Sequence, residues 1–386
     1  MKSSSPAARL IDGMKAVGAE AWDALANPDR RPLNPFVSHA FLSALEDSGS
    51  ATARTGWQPA HILIEQQGKL VAAAPMYVKS HSYGEYVFDH GWAEAFERAG
   101  GSYYPKLQVS VPFTPATGPR LLTGGDATAR EPLARAMMAV ADKLGVSSVH
   151  VTFAEQEECE TLAALGFLPR HDQQFHWHNE NYRDFGEFLA ALSSIKRKNL
   201  RRERAEAVKN DITVEWVTGP DLKEAHWDAF FAFYMDTGSR KWGSPYLTRD
   251  FFSRVGATMA DNILLVMAKR NGRYIAGALN FIGSDTLYGR NWGALEHHPF
   301  LHFELCYYQA VEFAIAKGLR RVEAGAQGAH KLARGYLPAR TNSMHWIAHK
   351  GLRDAVARYL KEERRAVGDE MEMLAEHSPF RKTAED

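Results

Sequence analysis

The order of secondary-structure signals across residues 36–178 starts again at residue 212, and this repeat constrains the fold more than any single motif. FVSHAFLSALEDSG (36–49) reads as a helix with Ser38 as N-cap and Gly49 as stop. AHILIEQQ and LVAAAPMYVK follow as two strands turning at 68–69, and YVFDHGW reads as a third. Residues 100–125, rich in Gly, Pro and aromatics, read as a long ordered loop or a short irregular strand. A helix at 131–144, the strand VSSVHVTFA, a short helix at 156–165 and a strand near FLPRHDQQFHWHN close the first half. The second half opens with a strand at 212–219 and two helices, the later one capped by Thr248. A three-stranded meander follows, turning at Asn271-Gly272, the strongest short hairpin signal in the chain. Then come a helix at 301–317, the strand RRVEAGA, a helix at 328–336 and the strand NSMHWIA. On this reading FDHGWAEA (88–95) corresponds to YGRNWGAL (288–295), and DKLGVSSVHVTFA (142–154) to AKGLRRVEAGAQ (316–327).

A chain of 386 residues exceeds what one core supports. The expected division is an N-terminal extension at 1–33, domains at 34–185 and 186–350, and a C-terminal helix and tail at 351–386. Basic and acidic side chains balance at 46 each, which excludes a surface coated for nucleic acid but leaves room for a local basic patch. Cys159 and Cys306 have no partners at disulfide-framework or metal spacing, so no metal is expected and a reducing compartment is. The N-terminus lacks an apolar core of signal-peptide length, and the longest aliphatic run (263–268) cannot span a bilayer. A cytoplasmic protein without a membrane span is expected. Leu352, Val356, Tyr359 and Leu360 form a stripe on the last helix that either packs on the second domain or mediates dimers, so monomer and homodimer both stay open.

A basic helix at 195–209 opens the second domain. It carries Lys196, Arg197, Lys198, Arg201, Arg202 and Arg204, with Ile195, Leu200 and Val208 on a narrow apolar side. Ion pairs from Glu203 and Glu206 would make it a solvated structural face; otherwise it offers phosphate contacts to tRNA or a phosphorylated substrate.

The pattern LSS-x-x-R-x-N-x-R-R in this helix resembles the FemAB-like aminoacyltransferases. NPFVSHAFLSALEDSG, YYPKLQVSVPFTPATGPRLL and GAQGAHKLARGYLPARTNSMHW are similar to a bacterial branch of that group, labelled GNAT family N-acetyltransferase or peptidoglycan biosynthesis/recognition protein. The resemblance runs from about 34 to 380. It implies an α/β (α+β) chain built as a tandem duplication of the GNAT (acyl-CoA N-acyltransferase) fold, each half a mixed, mostly antiparallel sheet flanked by helices. The glycine-rich pyrophosphate loop of CoA-using enzymes is missing: ALEHHPFLHFE (294–304) has no glycine, and Pro299 removes one N–H. The family resemblance therefore implies a charged tRNA as acyl donor.

Acyl transfer to an amine needs a base, donors for the oxyanion and a groove that positions the reactants. The densest polar cluster is 323–336. Glu323 and His330 are the expected catalytic pair, with Gln327, Lys331, Arg334 and Tyr336 around the substrate. His330, Lys331 and Arg334 would share one side of the helix that follows the strand. Arg290 and Trp292 face this cluster from the meander, and Tyr104 and Lys106 introduce a Pro-rich loop expected to roof a groove between domains. Three readings follow. The first is aminoacyl transfer from charged tRNA to an amine of a small or cell-wall-precursor-like substrate. The second is CoA-dependent N-acylation through an atypical pyrophosphate site. The third is a non-catalytic ligand-binding protein. In the first two the donor is a co-substrate, and no cofactor is held tightly.

Overall fold

One parallel strand pair in each half of the chain organises the fold, in a computed structural model that describes residues 7–241, 245–326 and 328–381. Lys106–Val109 runs parallel to Ser148–Thr152, and Thr286–Tyr288 parallel to Arg321–Glu323. A parallel pair needs a crossover, and each has a helical one: Arg130–Leu144 in the first half, residues 301–316 in the second. Every other described ladder is antiparallel.

By contacts the chain forms two units. The first is 1–172 with 340–368, the second 173–339 with 369–386. The linear division at 185/186 and 350/351 does not describe this interleaving. In the first unit Ser148–Thr152 pairs with 343–347 from the end of the chain. In the second, Arg321–Glu323 pairs with 176–178. Each unit thus borrows a strand from the other half of the sequence, and NSMHWIA belongs to the first unit, not the second. Side-chain chemistry alone does not choose between two such apolar alternating strands; the partner does.

The first unit's main sheet runs Trp57–Pro59, Met76–Lys79, Lys106–Val109, Ser148–Thr152 and 343–347. A smaller sheet of Ala7–Ile11, His61–Gln66 and Lys69–Ala74 includes part of the expected N-terminal extension. One sheet face packs Leu107, Val109, Val149, Val151, Met344 and Trp346 on the crossover helix through Leu133 and Met137. YVFDHGW is not a strand. Residues 80–89 are irregular, and His90–Arg98 is a helix that buries Trp92 and Ala93 against Leu352, Val356 and Leu360 of the C-terminal helix Lys350–Glu376. That packing places the first half of the C-terminal helix on the first unit rather than the second, while Tyr359 stays exposed. The counterpart of the meander strand Thr286–Ala294 is therefore Lys106–Val109, not 88–95.

The second unit's sheet runs 176–178, Arg321–Glu323, Thr286–Ala294, Arg273–Ile282, Ile263–Arg270 and Ile212–Thr218. The Asn271-Gly272 turn sits between Arg270 and Arg273 as its dipeptide requires. Helix Glu224–Lys241 covers one face with Trp227, Phe230 and Phe233, each buried side chain contributing roughly 1.5–3 kcal/mol. The other face packs Leu264, Val266, Leu287 and Val322 on Leu305, Tyr308, Val311 and Phe313 of the crossover.

Candidate functional site

The strand Thr286–Ala294 carries a β-bulge: Asn280 pairs with Gly289 and Leu279 with Asn291, so Arg290 is the extra residue of the bulge. On the strand's other side the parallel register ends at Tyr288–Glu323. The two strands part at this point. A pocket of about 120 Å³ lies at the opening, lined by Asn280, Arg290, Trp292, His302, Tyr307 and Ala324 among others. Gly289 lines it too, and a Cβ there would sit a tight 3.3 Å from the Glu323 carbonyl oxygen.

The wall opposite is the crossover segment, which is not one regular helix. Leu301–Phe303 is α, Glu304–Tyr308 forms a π-turn and Gln309–Ala316 returns to α. The extra residue of a π-turn re-aims its side chains, and such turns gather at functional sites. Here it brings His302, Cys306 and Tyr307 to the pocket. Trp292 meets the His302 ring at 5.1 Å, so it both packs on the core and lines the pocket.

The segment Ala329–Arg334 is a 3-10 turn, shorter than the helix expected at 328–336, and its side chains diverge to different partners. His330 Nε2 lies 3.1 Å from the Tyr307 hydroxyl. Partial burial, then the Arg334 and Lys331 charges, lower its pKa, so the imidazole is neutral near pH 7. Burial likewise lowers Lys331 to about 8, against the opposing pull of Cys306. Its ammonium donates to the carbonyls of Ala324 (2.5 Å) and Gly325 (3.1 Å), holding the strand end at the pocket rather than reaching for an anion. Arg334 donates to the His330 carbonyl and to Glu203, and stacks 3.5 Å from the Phe303 ring centroid. Tyr336 is wholly buried and donates to the Tyr307 carbonyl. Gln327 lies outside the described residues.

Glu323 is not brought to His330. Val322 joins the core cluster and Ala324 lines the pocket, so strand alternation turns the Glu323 side chain to the opposite face. There its Oε1 is 3.2 Å from Arg321 Nε and its Oε2 is 3.9 Å from His176 Nε2, at angles that make no hydrogen bond. Burial pushes its pKa up to about 7, against the attraction of Arg321. The same burial holds His176 down at about 3.

The basic helix Ser194–Ala207 packs on this site through its inner side. Leu200 and Ala207 are buried, and Tyr308 donates to Glu203. Arg204 pairs with Glu304 at 2.8 Å and Glu312 at 2.7 Å, and its guanidinium lies 4.4 Å from the Phe185 ring centroid. Ile195 is 71 % exposed and Val208 is also exposed, so the expected apolar side reduces to Leu200 and Ala207. Lys198, Arg201 and Arg202 face solvent and Lys196 and Arg197 are half-buried; among the described residues none of the five has an acidic partner within 4.0 Å.

Tyr104 and Lys106 lie in the first unit. Lys106 is fully buried and donates to Ser82 Oγ, Glu85 Oε2 and Asp89 Oδ2, which leaves no donor direction open to a substrate. Tyr104 bonds Ser82 at 2.8 Å.

His302, Tyr307, Cys306 and Asn280 were not singled out from the sequence. An asparagine inside the apolar strand IAGALNFI was a usable signal, because a buried amide at mid-strand needs a purpose. The density of aromatics in LHFELCYY was another.

Residues 13–382 match a family model described as FemAB-like, peptidoglycan biosynthesis/recognition. No curated protein matches the chain in sequence. Among solved structures, FemX is 11% identical with a TM-score of 0.53, over 91% of this chain and 100% of that one. L-PGS from Bacillus licheniformis is 11% identical with a TM-score of 0.51, over 92% and 100%. A conserved protein of unknown function from Bacteroides thetaiotaomicron is 12% identical with a TM-score of 0.55, over 89% and 100%. The likeness is one of fold, mixed sheets flanked by helices. Among the described residues no helix is long and apolar enough to cross a membrane.

Proposed function

Because the chain belongs to the FemAB-like family of peptidoglycan biosynthesis and recognition, we propose that it is an acyltransferase that moves an aminoacyl group from a charged tRNA onto an amine of a cell-wall-precursor-like acceptor. The observation that carries this reading is the bulge at Arg290 beside the end of the parallel ladder. The bulge brings Arg290 to the lining of a small pocket, where a cationic donor is suited to hold the oxyanion of a tetrahedral intermediate. In the proposed step the acceptor amine attacks the ester carbonyl. A C–N bond forms, the ester C–O bond breaks, and the tRNA 3′ oxygen leaves as the hydroxyl. The amine's proton passes to neutral His330, directly or through Tyr307, and from the imidazolium to the departing 3′ oxygen.

Two features favour tRNA over CoA. After Pro299, the N–H groups of Leu301 and Glu304 are already bonded to the carbonyls of His298 and Phe300, so the helix start offers little to a pyrophosphate. The outer cations of the basic helix supply a phosphate-binding face instead. Calorimetry at low salt tests the choice. Acetyl-CoA should give no saturable heat tighter than roughly 100 μM, about 5.5 kcal/mol, while charged tRNA should bind with an affinity that falls steeply with salt. Saturable acetyl-CoA binding with no tRNA binding would overturn the reading.

A further inference from the structure

The chain has two cysteines, and the fold treats them in opposite ways. Cys159 belongs to the first unit's core cluster, and burial pushes its thiol up to about 12. It touches a pocket of about 140 Å³, yet a thiol held protonated is a poor nucleophile. Cys306 stands on the π-turn Glu304–Tyr308, is half-buried and lines the pocket of the second unit. Lys331 lies buried behind it, donating at 2.5 Å to the carbonyl of Ala324, another lining residue. A Cys306 thiolate attracts that ammonium, opposing the loss of charge that burial imposes on it. Arg290 adds a second cation to the lining. Thiols that combine access with neighbouring positive charge are the ones that react.

The pocket carries an independent sign of a ligand. Asn280 lines it and is only 1 % exposed. Its Nδ2 makes two long contacts, 3.4 Å to the carbonyls of Leu264 and Ala278, and its Oδ1 accepts from no donor among the described residues. That oxygen lies 3.6 Å from where a Cβ on Gly289 would sit, and Gly289 is itself a lining residue, so the oxygen is aimed into the opening. A buried acceptor left open costs about 1–3 kcal/mol until a donor meets it. At about 120 Å³ the opening suits a small molecule.

We propose that Cys306 is an oxidation site for hydrogen peroxide or a small organic hydroperoxide. The thiolate sulfur attacks the hydroxyl oxygen of the peroxide. An S–O bond forms, the O–O bond breaks, and the other oxygen leaves as hydroxide or alkoxide, taking a proton from water. Sulfur is oxidised to the sulfenic acid and the peroxide is reduced. The new S–O–H group is a donor, and Asn280 Oδ1 is the acceptor the pocket holds open for it. The added oxygen occupies the opening, so oxidation closes it to other ligands. The oxidation does not rest on the acyl-transfer reading, and its test measures no acyl transfer.

Brief peroxide treatment of the folded full chain, followed by urea containing dimedone and iodoacetamide, tests it by peptide mass spectrometry. Dimedone marks sulfenic acid and iodoacetamide marks surviving thiol. Cys306 should carry at least tenfold more dimedone than Cys159 when peroxide meets the folded chain, and less than twofold more when the chain is unfolded first. Lys331→Met should slow oxidation of Cys306 tenfold or more, and Lys331→Arg should retain it. No dimedone on Cys306, or a ratio no higher in the folded chain than in the unfolded one, would overturn the proposal. So would parent-like oxidation in a Lys331→Met chain whose melting temperature shows that it folds. If that variant does not fold, the parent's two ratios decide alone.

Discussion

The Glu203 carboxylate accepts from Arg334 Nη2 at 2.7 Å, tying the basic helix to the 3-10 turn that presents His330. Both side chains are nearly buried, and Tyr308 and the His330 carbonyl complete the arrangement. The helix that offers cations to solvent thus also braces the crossover segment and the turn beside the pocket.

Removing one partner of such a pair leaves a desolvated charge. Glu203→Ala should lower stability by about 3 kcal/mol in denaturant titration. Glu203→Ala/Arg334→Ala should lose less than the sum of the single variants, the shortfall being their coupling.

The outer cations should behave otherwise. Lys198→Glu/Arg201→Glu/Arg202→Glu should change stability by only a few tenths of a kcal/mol, since these side chains are exposed and have no acidic partner among the described residues. It should weaken tRNA binding tenfold or more and flatten its salt dependence, measured as the slope of log K against log salt.

If His330 is the base, His330→Gln should reduce kcat by 10²–10⁴, and Tyr307→Phe by less. Its lowered pKa fixes the sign of the pH profile. The imidazole stays neutral below its ordinary value, so the acid limb of kcat/KM should fall below about pH 6.5. The limb should vanish in His330→Gln.

Glu323 gives a stability test separate from activity. Its folded pKa of about 7 lies above the unfolded 4.5, so between these values the folded state holds more protons and stability falls as pH rises. Glu323→Gln removes that dependence. Relative to the parent it should gain on the order of 2–3 kcal/mol between pH 5 and pH 8 in urea titrations.

What could be read from the sequence follows the range of the interactions. Ser38 does cap His39–Asp47, accepting from the Phe41 N–H, and Thr248 caps Arg249–Thr258 in the same way. These are local events, as is the Asn271-Gly272 turn. The strand exchange is not local: His150 meets His345 across 195 positions, and no window of sequence contains both. YVFDHGW reads as a strand because Tyr86 to Asp89 do alternate between exposed and buried, but the alternation answers to buried Lys106, which holds Asp89, rather than to a sheet. Of the residues expected at the site, Arg290 and Trp292 line the pocket, and His330 lies against Tyr307 beside it. Glu323 was misplaced relative to His330 because the strand ends before the 3-10 turn, and one residue of alternation decides the face.

The central claim is transfer of an aminoacyl group at the parted strands. The most direct test supplies folded protein with total tRNA charged with radiolabelled amino acids, and soluble muramyl-peptide precursors as acceptors. The account predicts label in amide linkage to the precursor, abolished by His330→Gln and by the charge-reversed helix. Label that stays on tRNA while the same protein acetylates the precursor from acetyl-CoA would contradict it.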